Sequence, residues 1–342
     1  MVTRATRRTH GWNAHASVEA ASIPSGDSST FAHSRGLRDR LGDKLFYGLT
    51  ALASLLSVLL VLGIIWRIFK GAWPAIQHFG LSFLSNNVWN APLNEFGARD
   101  LIIGTIVTSF GAMLLSGPIS VAIALFLSEI APPAIRGPAG TLIEMLAAVP
   151  SVVVGLWGIY VLAPFSAQYL QPWISSVLGW IPIFSNGQDK VESTVFAAIL
   201  VLTIMTIPIT SSICRELFLG VPEELEEGAI GLGATRWEMV KTVTVPSVRG
   251  GVIAAVILGL GRALGEAIAV TQVIGNFIPL QRSIFEPGDT LASRVANQYQ
   301  GAISELQISS LIYLALILLV ISFIANFGAQ LIVKRSERKL AG

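Results

Sequence analysis

The sequence predicts an all-α integral membrane protein with six transmembrane helices, and three observations carry that prediction. The chain of 342 residues is 53% hydrophobic and only 13% charged, with a mean hydropathy of +0.67, a balance outside the range of soluble globular domains. Six apolar runs are long enough to cross a bilayer, whose hydrocarbon is about 30 Å thick and takes about 20 helical residues to span. Lysine and arginine are shared unequally between the two sides those runs define. Hydrocarbon offers the backbone no hydrogen-bond partner, so such spans are helical. The net charge of +2 selects no class of partner, and the single cysteine, Cys214, excludes an intrachain disulfide framework or a cysteine metal cluster.

Residues 1 to about 40 carry Arg, Ser, Thr, His and Gly without an apolar run and read as a disordered cytoplasmic tail. Arg7-Arg8 is followed by no apolar stretch, so it is not a twin-arginine export signal. His10, His15 and His33 lack metal-ligand spacing. A transmembrane domain is expected over 41–335, with spans near Leu45–Ile68, Leu101–Leu127, Thr141–Ala163, Thr194–Ile213, Val252–Ile274 and Ile308–Val333, and a short cytoplasmic tail over 336–342. Pro118, Pro150 and Pro208 should kink the runs they interrupt. The stretch 168–190 holds Pro172, Pro182, Trp173 and Trp180; it is too broken to cross and reads as an interfacial loop.

With both termini assigned to the cytoplasm, 16 Lys and Arg fall inside and 6 outside, the asymmetry expected of this topology. It places a charged loop, about 215–250, in the cytoplasm. Pro222 suits the first position of a helix whose opening turn carries Glu223, Glu224, Glu226 and Glu227, favourable to the positive end of the dipole. Leu225, Ala229 and Leu232 share a face, and Gly231 and Gly233 permit a turn. Thr235-Arg-Trp-Glu238 matches a capping box that starts a second short helix, with Trp237 and Val240 on one side, ended by Pro246 before the next span. The loop is therefore a helix–turn–helix with an apolar rim outside the bilayer. An ordinary surface loop satisfies the same local rules, so these residues alone leave a docking role open.

Within the fifth span, Arg262 and Glu266 lie four residues apart and face one side. A charge at mid-bilayer costs about 2.5–3.5 kcal/mol on insertion scales, which favours pairing away from lipid. On a continuous helix Ala255, Gly259, Arg262, Glu266, Ala269, Val273 and Asn276 form one stripe of small and polar groups. Two readings stand: a salt bridge locking two helices, or a path for an anion that Arg262 attracts and Glu266 keeps weakly held. Glu144 either faces that path or reaches the inner interface. Glu129 reads as a solvated helix end, and Arg282 and Arg294 lie outside, where they are candidates to contact an external partner. No phosphate-binding Gly-rich loop, HExxH or Ser/His/Asp arrangement is discernible, which argues against ATP binding or enzymatic chemistry in this chain.

The loop resembles the membrane subunits of ABC importers, whose cytoplasmic motif runs Glu-Ala-Ala, three residues, Gly, nine residues, Ile-x-Leu-Pro. Here Glu227-Gly228-Ala229, Gly233 and Val243-Thr-Val245-Pro246 keep that spacing, with Gly228 in place of the middle Ala and Val243 and Val245 in place of Ile and Leu. The resemblance implies a coupling helix seated on an ATP-hydrolysing subunit, with Glu227, Ala229, Gly233, Trp237 and Pro246 as coupling residues. Gly259-Leu-Gly-Arg262-Ala-Leu-Gly-Glu266, the Glu144–Gly158 stretch and Pro287–Asn297 are similar to the PstC-type subunits of phosphate-specific ABC importers, over about residues 40–335. That likeness implies the type I permease fold in a bacterial inner membrane. It implies a non-catalytic transport subunit whose partners are a PstA-type second permease, two ATPase subunits that bind ATP and Mg, an external phosphate-binding protein and membrane lipid, with no nucleic acid. It also implies that Arg262 and Glu266 belong to the substrate path, to which Asn276 and Glu144 are added as candidates. A permease for sulfate, molybdate or tungstate, or an ATP-independent channel or ion-coupled transporter, remains the alternative.

Overall fold

The computed structural model describes residues 37–185 and 191–338. The expected tail, with its paired arginines and three histidines, lies outside the described residues up to position 36, and helix α1 (Leu37–Phe79) begins inside the stretch read as tail. The chain falls into two units, Met1–Val61 and Leu62–Gly342. In the first, the described side chains of α1, including Leu45, Leu55 and Leu60, are exposed, as suits a helix facing lipid or another subunit.

In the second unit a turn at Ser82–Ser85 and a two-stranded hairpin (β1, Trp89–Asn90; β2, Glu95–Phe96) lead into α2 (Arg99–Leu125). Then come α3 (Pro133–Ala147), α4 (Ser151–Leu178), α5 (Val195–Leu219), α6 (Glu223–Gly231), α7 (Arg236–Gly265), α8 (Ile268–Val273), α9 (Leu291–Gln298) and α10 (Glu305–Arg338). Six of these, α1, α2, α4, α5, α7 and α10, are long and apolar enough to cross a membrane. The expected fold class holds.

Helix α5 is the most buried of the six and packs against α2, α3, α7 and α8. Helices in lipid gain little from the hydrophobic effect and associate through small residues that let backbones approach. Helix α2 offers such a face at every fourth position: Gly104, Thr108, Ala112, Ser116, Ser120 and Ala124 are all buried. Two of its hydroxyls show how such groups are bonded, Thr108 Oγ1 donating to the Gly104 carbonyl at 2.8 Å within the helix and Ser120 Oγ donating to the Ile207 carbonyl at 3.3 Å across the interface. The main core joins Ala112, Val201, Leu202, Ala263, Val270, Val273 and Phe285. A second, on the side of the hairpin, joins Phe83, Phe96, Leu101, Leu291 and Leu314.

Several expected boundaries move, most of them for a proline or a break. The third span was expected over Thr141–Ala163; instead Pro150 (φ −59°, ψ 136°) separates α3 from α4, since the residue before a proline avoids the helical region. Helix α4 then continues through Gln168–Leu178, most of the stretch read as an interfacial loop, although Trp173 and Trp180 are exposed as interfacial aromatics. Pro164 and Pro172 do not stop it. Each follows a π turn, Gly158–Leu162 and Ser166–Leu170, and the residue closing that turn donates to the carbonyl five back (Ala163 to Gly158, Gln171 to Ser166). Widening the turn moves backbone away from the proline ring and keeps the donor bonded. The same device at Val240–Thr244 carries α7 through Pro246, so Pro246 does not end the loop's second helix, which is one body with the fifth span. Helix α7 stops at Gly265, short of the expected Ile274, because Glu266 is extended (ψ 116°). Helix α10 runs to Arg338, past the expected start of the C-terminal tail at 336.

Replacing Ala112 by Leu forces a larger side chain between α2 and α5. It should cost about 1–3 kcal/mol, read as a lower thermal midpoint of the detergent-purified protein, whereas Leu114→Ala on the exposed flank of α2 should shift it little.

Candidate functional site

Two sites share α7. The first is the loop at its start. Pro222 (φ −60°, ψ 128°) is the N-cap of α6 rather than its first residue. Gly233 takes φ +94°, and the Gly233 and Ala234 amides donate to the carbonyls of Ile230 and Ala229 at 2.9 and 3.1 Å, a Schellman turn that closes α6. Gly233 alone supplies the left-handed residue of this turn, and Gly231 stays helical. The capping box is present: Thr235 N donates to Glu238 Oε2 at 2.8 Å and Glu238 N to Thr235 Oγ1 at 3.3 Å. Thr244, fully buried, donates its hydroxyl to Glu226 Oε1 at 2.8 Å and so ties α6 to α7. Glu227 points to the surface, Ala229 and Pro246 are half-buried, and Leu225, Ile230, Leu232 and Trp237 leave an apolar rim uncovered, with Leu232 93% and Trp237 69% exposed. Val240, expected beside Trp237, turns inward with Met239.

The second site lies at the far end of α7. Arg262 Nη2 is 3.6 Å from Glu266 Oε2; the Glu266 side chain is buried and that of Arg262 is 43% exposed. Glu266 Oε1 also accepts the Ala269 amide at 3.2 Å, which anchors the start of α8. The guanidinium, with five donors, lines a cavity of about 350 Å³ whose other walls are apolar: Leu146 and Val149 before α4, Val153 and Trp157 on α4, Ile204 and Pro208 on α5. Arg262 is the one charged group on that lining. An arginine in a low-dielectric wall attracts an anion more strongly than it would in water.

The other two path candidates lie elsewhere. Glu144 is exposed on α3 and lines a separate crevice with Arg215, Ser211 and Ser212. Asn276 is off the expected stripe because α7 breaks at Glu266. It takes φ +54°, its Nδ2 donates to the Thr271 carbonyl at 2.8 Å, and its Oδ1 accepts from Ser293 Oγ at 2.9 Å. Those bonds knit the segment between α8 and α9.

These two sites, set at either end of one continuous helix, are what the comparisons with known proteins address. Residues 120–338 match the family described as binding-protein-dependent transport system inner membrane component. The chain is 40% identical over 312 residues to a Pasteurella multocida protein named phosphate transport system permease protein PstC, covering 91% of this chain and 97% of that one. It is 38% identical to a protein of the same name from Mesorhizobium japonicum, with 88% and 93% covered. The chain belongs to the PstC family of ABC transport permeases.

Among solved structures, a bacterial alginate ABC transporter aligns with TM-score 0.54 at 18% identity, over 88% of this chain and 99% of that chain. An inward-facing MetNI methionine ABC transporter aligns with TM-score 0.51 at 16% identity, over 72% and 99%. At those identities the likeness concerns the fold alone, and it is that of ABC importer permeases. As a member of the PstC family the chain is a multi-pass inner-membrane transport component. The family match spans every candidate residue from Glu144 to Asn276.

One pair in this PstC-family chain was misread from sequence. Arg294, expected to face an external partner, is 6% exposed; its Nε lies 2.6 Å from Asp289 Oδ2, its guanidinium sits 5.8 Å from the Trp89 ring, and its Nη2 donates to the Asn276 carbonyl at 3.5 Å. Burial pushes the Asp289 carboxyl above its ordinary range, while the Arg294 charge and the Thr290 amide pull it down. Arg282 remains exposed. Removing one member of a buried pair strands the other, so Arg294→Ala should cost about 3–5 kcal/mol of stability. Arg282→Ala should stay within about 0.5 kcal/mol of the parent; equal thermal midpoints for the two variants would contradict the pairing.

Proposed function

We propose that this chain is the membrane-spanning subunit of an ATP-driven phosphate importer. The observation that carries the proposal is the lone guanidinium of Arg262 on an apolar cavity wall, in a chain about 40% identical to proteins named as phosphate transport permeases. The anion is drawn by Arg262, and Glu266 fixes the guanidinium while competing with the anion for it, so that binding stays weak enough for release. A planar fork of donors suits the oxygens of a tetrahedral oxyanion. Uptake runs inward across a bacterial inner membrane, with the loop and both termini on the cytoplasmic side, in keeping with the excess of Lys and Arg there.

The energy enters at the loop. ATP and Mg are bound by two ATPase subunits, one of which seats the rim of Leu225, Leu232 and Trp237; a PstA-type permease completes the path and an external phosphate-binding protein delivers the ion. Helix α7 supports the coupling: it runs unbroken from Arg236 to Gly265, and Arg236 to Arg262 spans roughly 39 Å at 1.5 Å per residue. The Thr244–Glu226 hydrogen bond joins the docked α6 to that helix, so displacement of the loop displaces the wall that carries Arg262.

Replacing Arg262 by Ala should reduce uptake of labelled phosphate to background while the assembled complex still hydrolyses ATP, and Arg262→Lys should restore only part of it because the fork is lost. Normal uptake by the Ala variant would falsify the path role, and competition by unlabelled sulfate as effective as by phosphate would reassign the substrate. Gly233→Leu forces a branched side chain into the left-handed region, at about 1–2 kcal/mol. ATPase subunits should co-purify poorly with it; unchanged co-purification and unchanged stimulated hydrolysis would remove the docking role.

A further inference from the structure

Away from both sites, a recess of about 610 Å³ opens where the second half of α1 meets α9 and α10. Its floor and walls are Val295, Leu311, Ile312 and Ala315, and its rim carries Arg67 and Lys70. We propose that this recess binds one anionic phospholipid, its phosphate held between Arg67 and Lys70 and an acyl chain laid along the groove between α1 and α10.

Arg67 and Lys70 are three residues apart and share a face of α1. Both are exposed, and no described carboxylate lies within ion-pair distance of either. Two like charges so placed repel unless an anion sits between them. Lys70 Nζ lies 5.6 Å from the centroid of the Trp66 ring, which keeps the ammonium at the rim rather than out in solvent.

The depth is that of a headgroup layer. Leu311 to Ala315 lie six to ten residues into α10, or about 9–15 Å from its start, on the membrane face opposite the Glu223–Thr244 loop. Tyr299 lines the recess and Trp66 stands beside Lys70, both of them exposed, as expected of aromatics at that level. Below the rim the groove is apolar and closed at its back, because α1 rests directly on α10 at Gly71, where an added Cβ would come within 2.8 Å of Ile312 Cδ1. A free phosphate ion gains nothing from such walls, whereas a lipid with two acyl chains uses both parts. The proposal does not depend on what the chain transports.

Native mass spectrometry of the full chain, purified in mild detergent with phosphatidylglycerol and phosphatidylcholine at equal mole fraction, tests it. Each basic side chain near a headgroup favours an anionic lipid several-fold, so the parent should retain one phosphatidylglycerol with roughly thirtyfold preference. Arg67→Gln combined with Lys70→Gln should bring that preference to parity. Ile312→Trp, which fills the groove and leaves the charges, should expel the lipid; if that variant does not fold, the surface double variant decides alone. Excess inorganic phosphate should leave the lipid in place. Equal retention of the two lipids by the parent, unchanged preference in the double variant, or displacement by phosphate would each overturn the proposal. So would cross-linking of a Lys70→Cys variant to another protein subunit in native membranes, which would show the recess covered by protein.

Discussion

A backbone in hydrocarbon has no water to take up a hydrogen bond that a helix drops, and the way this chain treats its prolines follows from that constraint. Pro164, Pro172 and Pro246 each stand two residues after a π turn, and in each case the residue between them donates to the carbonyl five back. Where water is available a proline commonly ends a helix. Here the widened turn absorbs the ring and keeps the neighbouring amide satisfied. Helices α4 and α7 stay whole as a result, and because α7 is whole, the loop at its start and Arg262 near its end belong to one element.

The Arg262–Glu266 pair is set where that element ends. Burying a carboxylate by itself is costly, and Glu266 avoids the cost with two partners, the guanidinium and the Ala269 amide. Arg262, with Glu266 at one of its terminal nitrogens, lines a cavity of Leu, Val, Trp and Pro side chains. The break at Glu266 thus does two things: it supplies the anchor for the arginine, and it frees the chain beyond to turn into the buried segment that holds Asn276, Asp289 and Arg294.

Six spans, the helix–turn–helix loop and the Arg–Glu pair were legible in the sequence because each rests on local rules: run length, capping, and spacing of three or four along a helix. The capping box at Thr235 and the positive-φ glycine at 233 are determined by residues within a few positions. What was misread needed knowledge of the chain far away. Pro150 and Pro246 look alike in sequence; one separates two helices and the other is absorbed by a π turn. The stripe through Asn276 assumed a continuous helix that Glu266 interrupts. Arg294 looked like an outward charge because its partners, Asp289 and Trp89, come together only in the fold. The Asp and Arg of the Asp289–Arg294 stretch, five residues apart across a helix start, were the signal for that pair.

The Schellman turn at Gly233 and the capping box at Thr235 hold the loop in shape before anything touches it. Ordering a flexible segment on association costs roughly 1–2 kcal/mol per residue, and here that cost is met during folding. A partner seated on the rim of Leu232 and Trp237, as proposed above, would draw its strength from the burial of a few exposed apolar groups and little else. Such a surface is suited to a partner that tilts or lets go once in every cycle of work, because nothing has to refold when it returns.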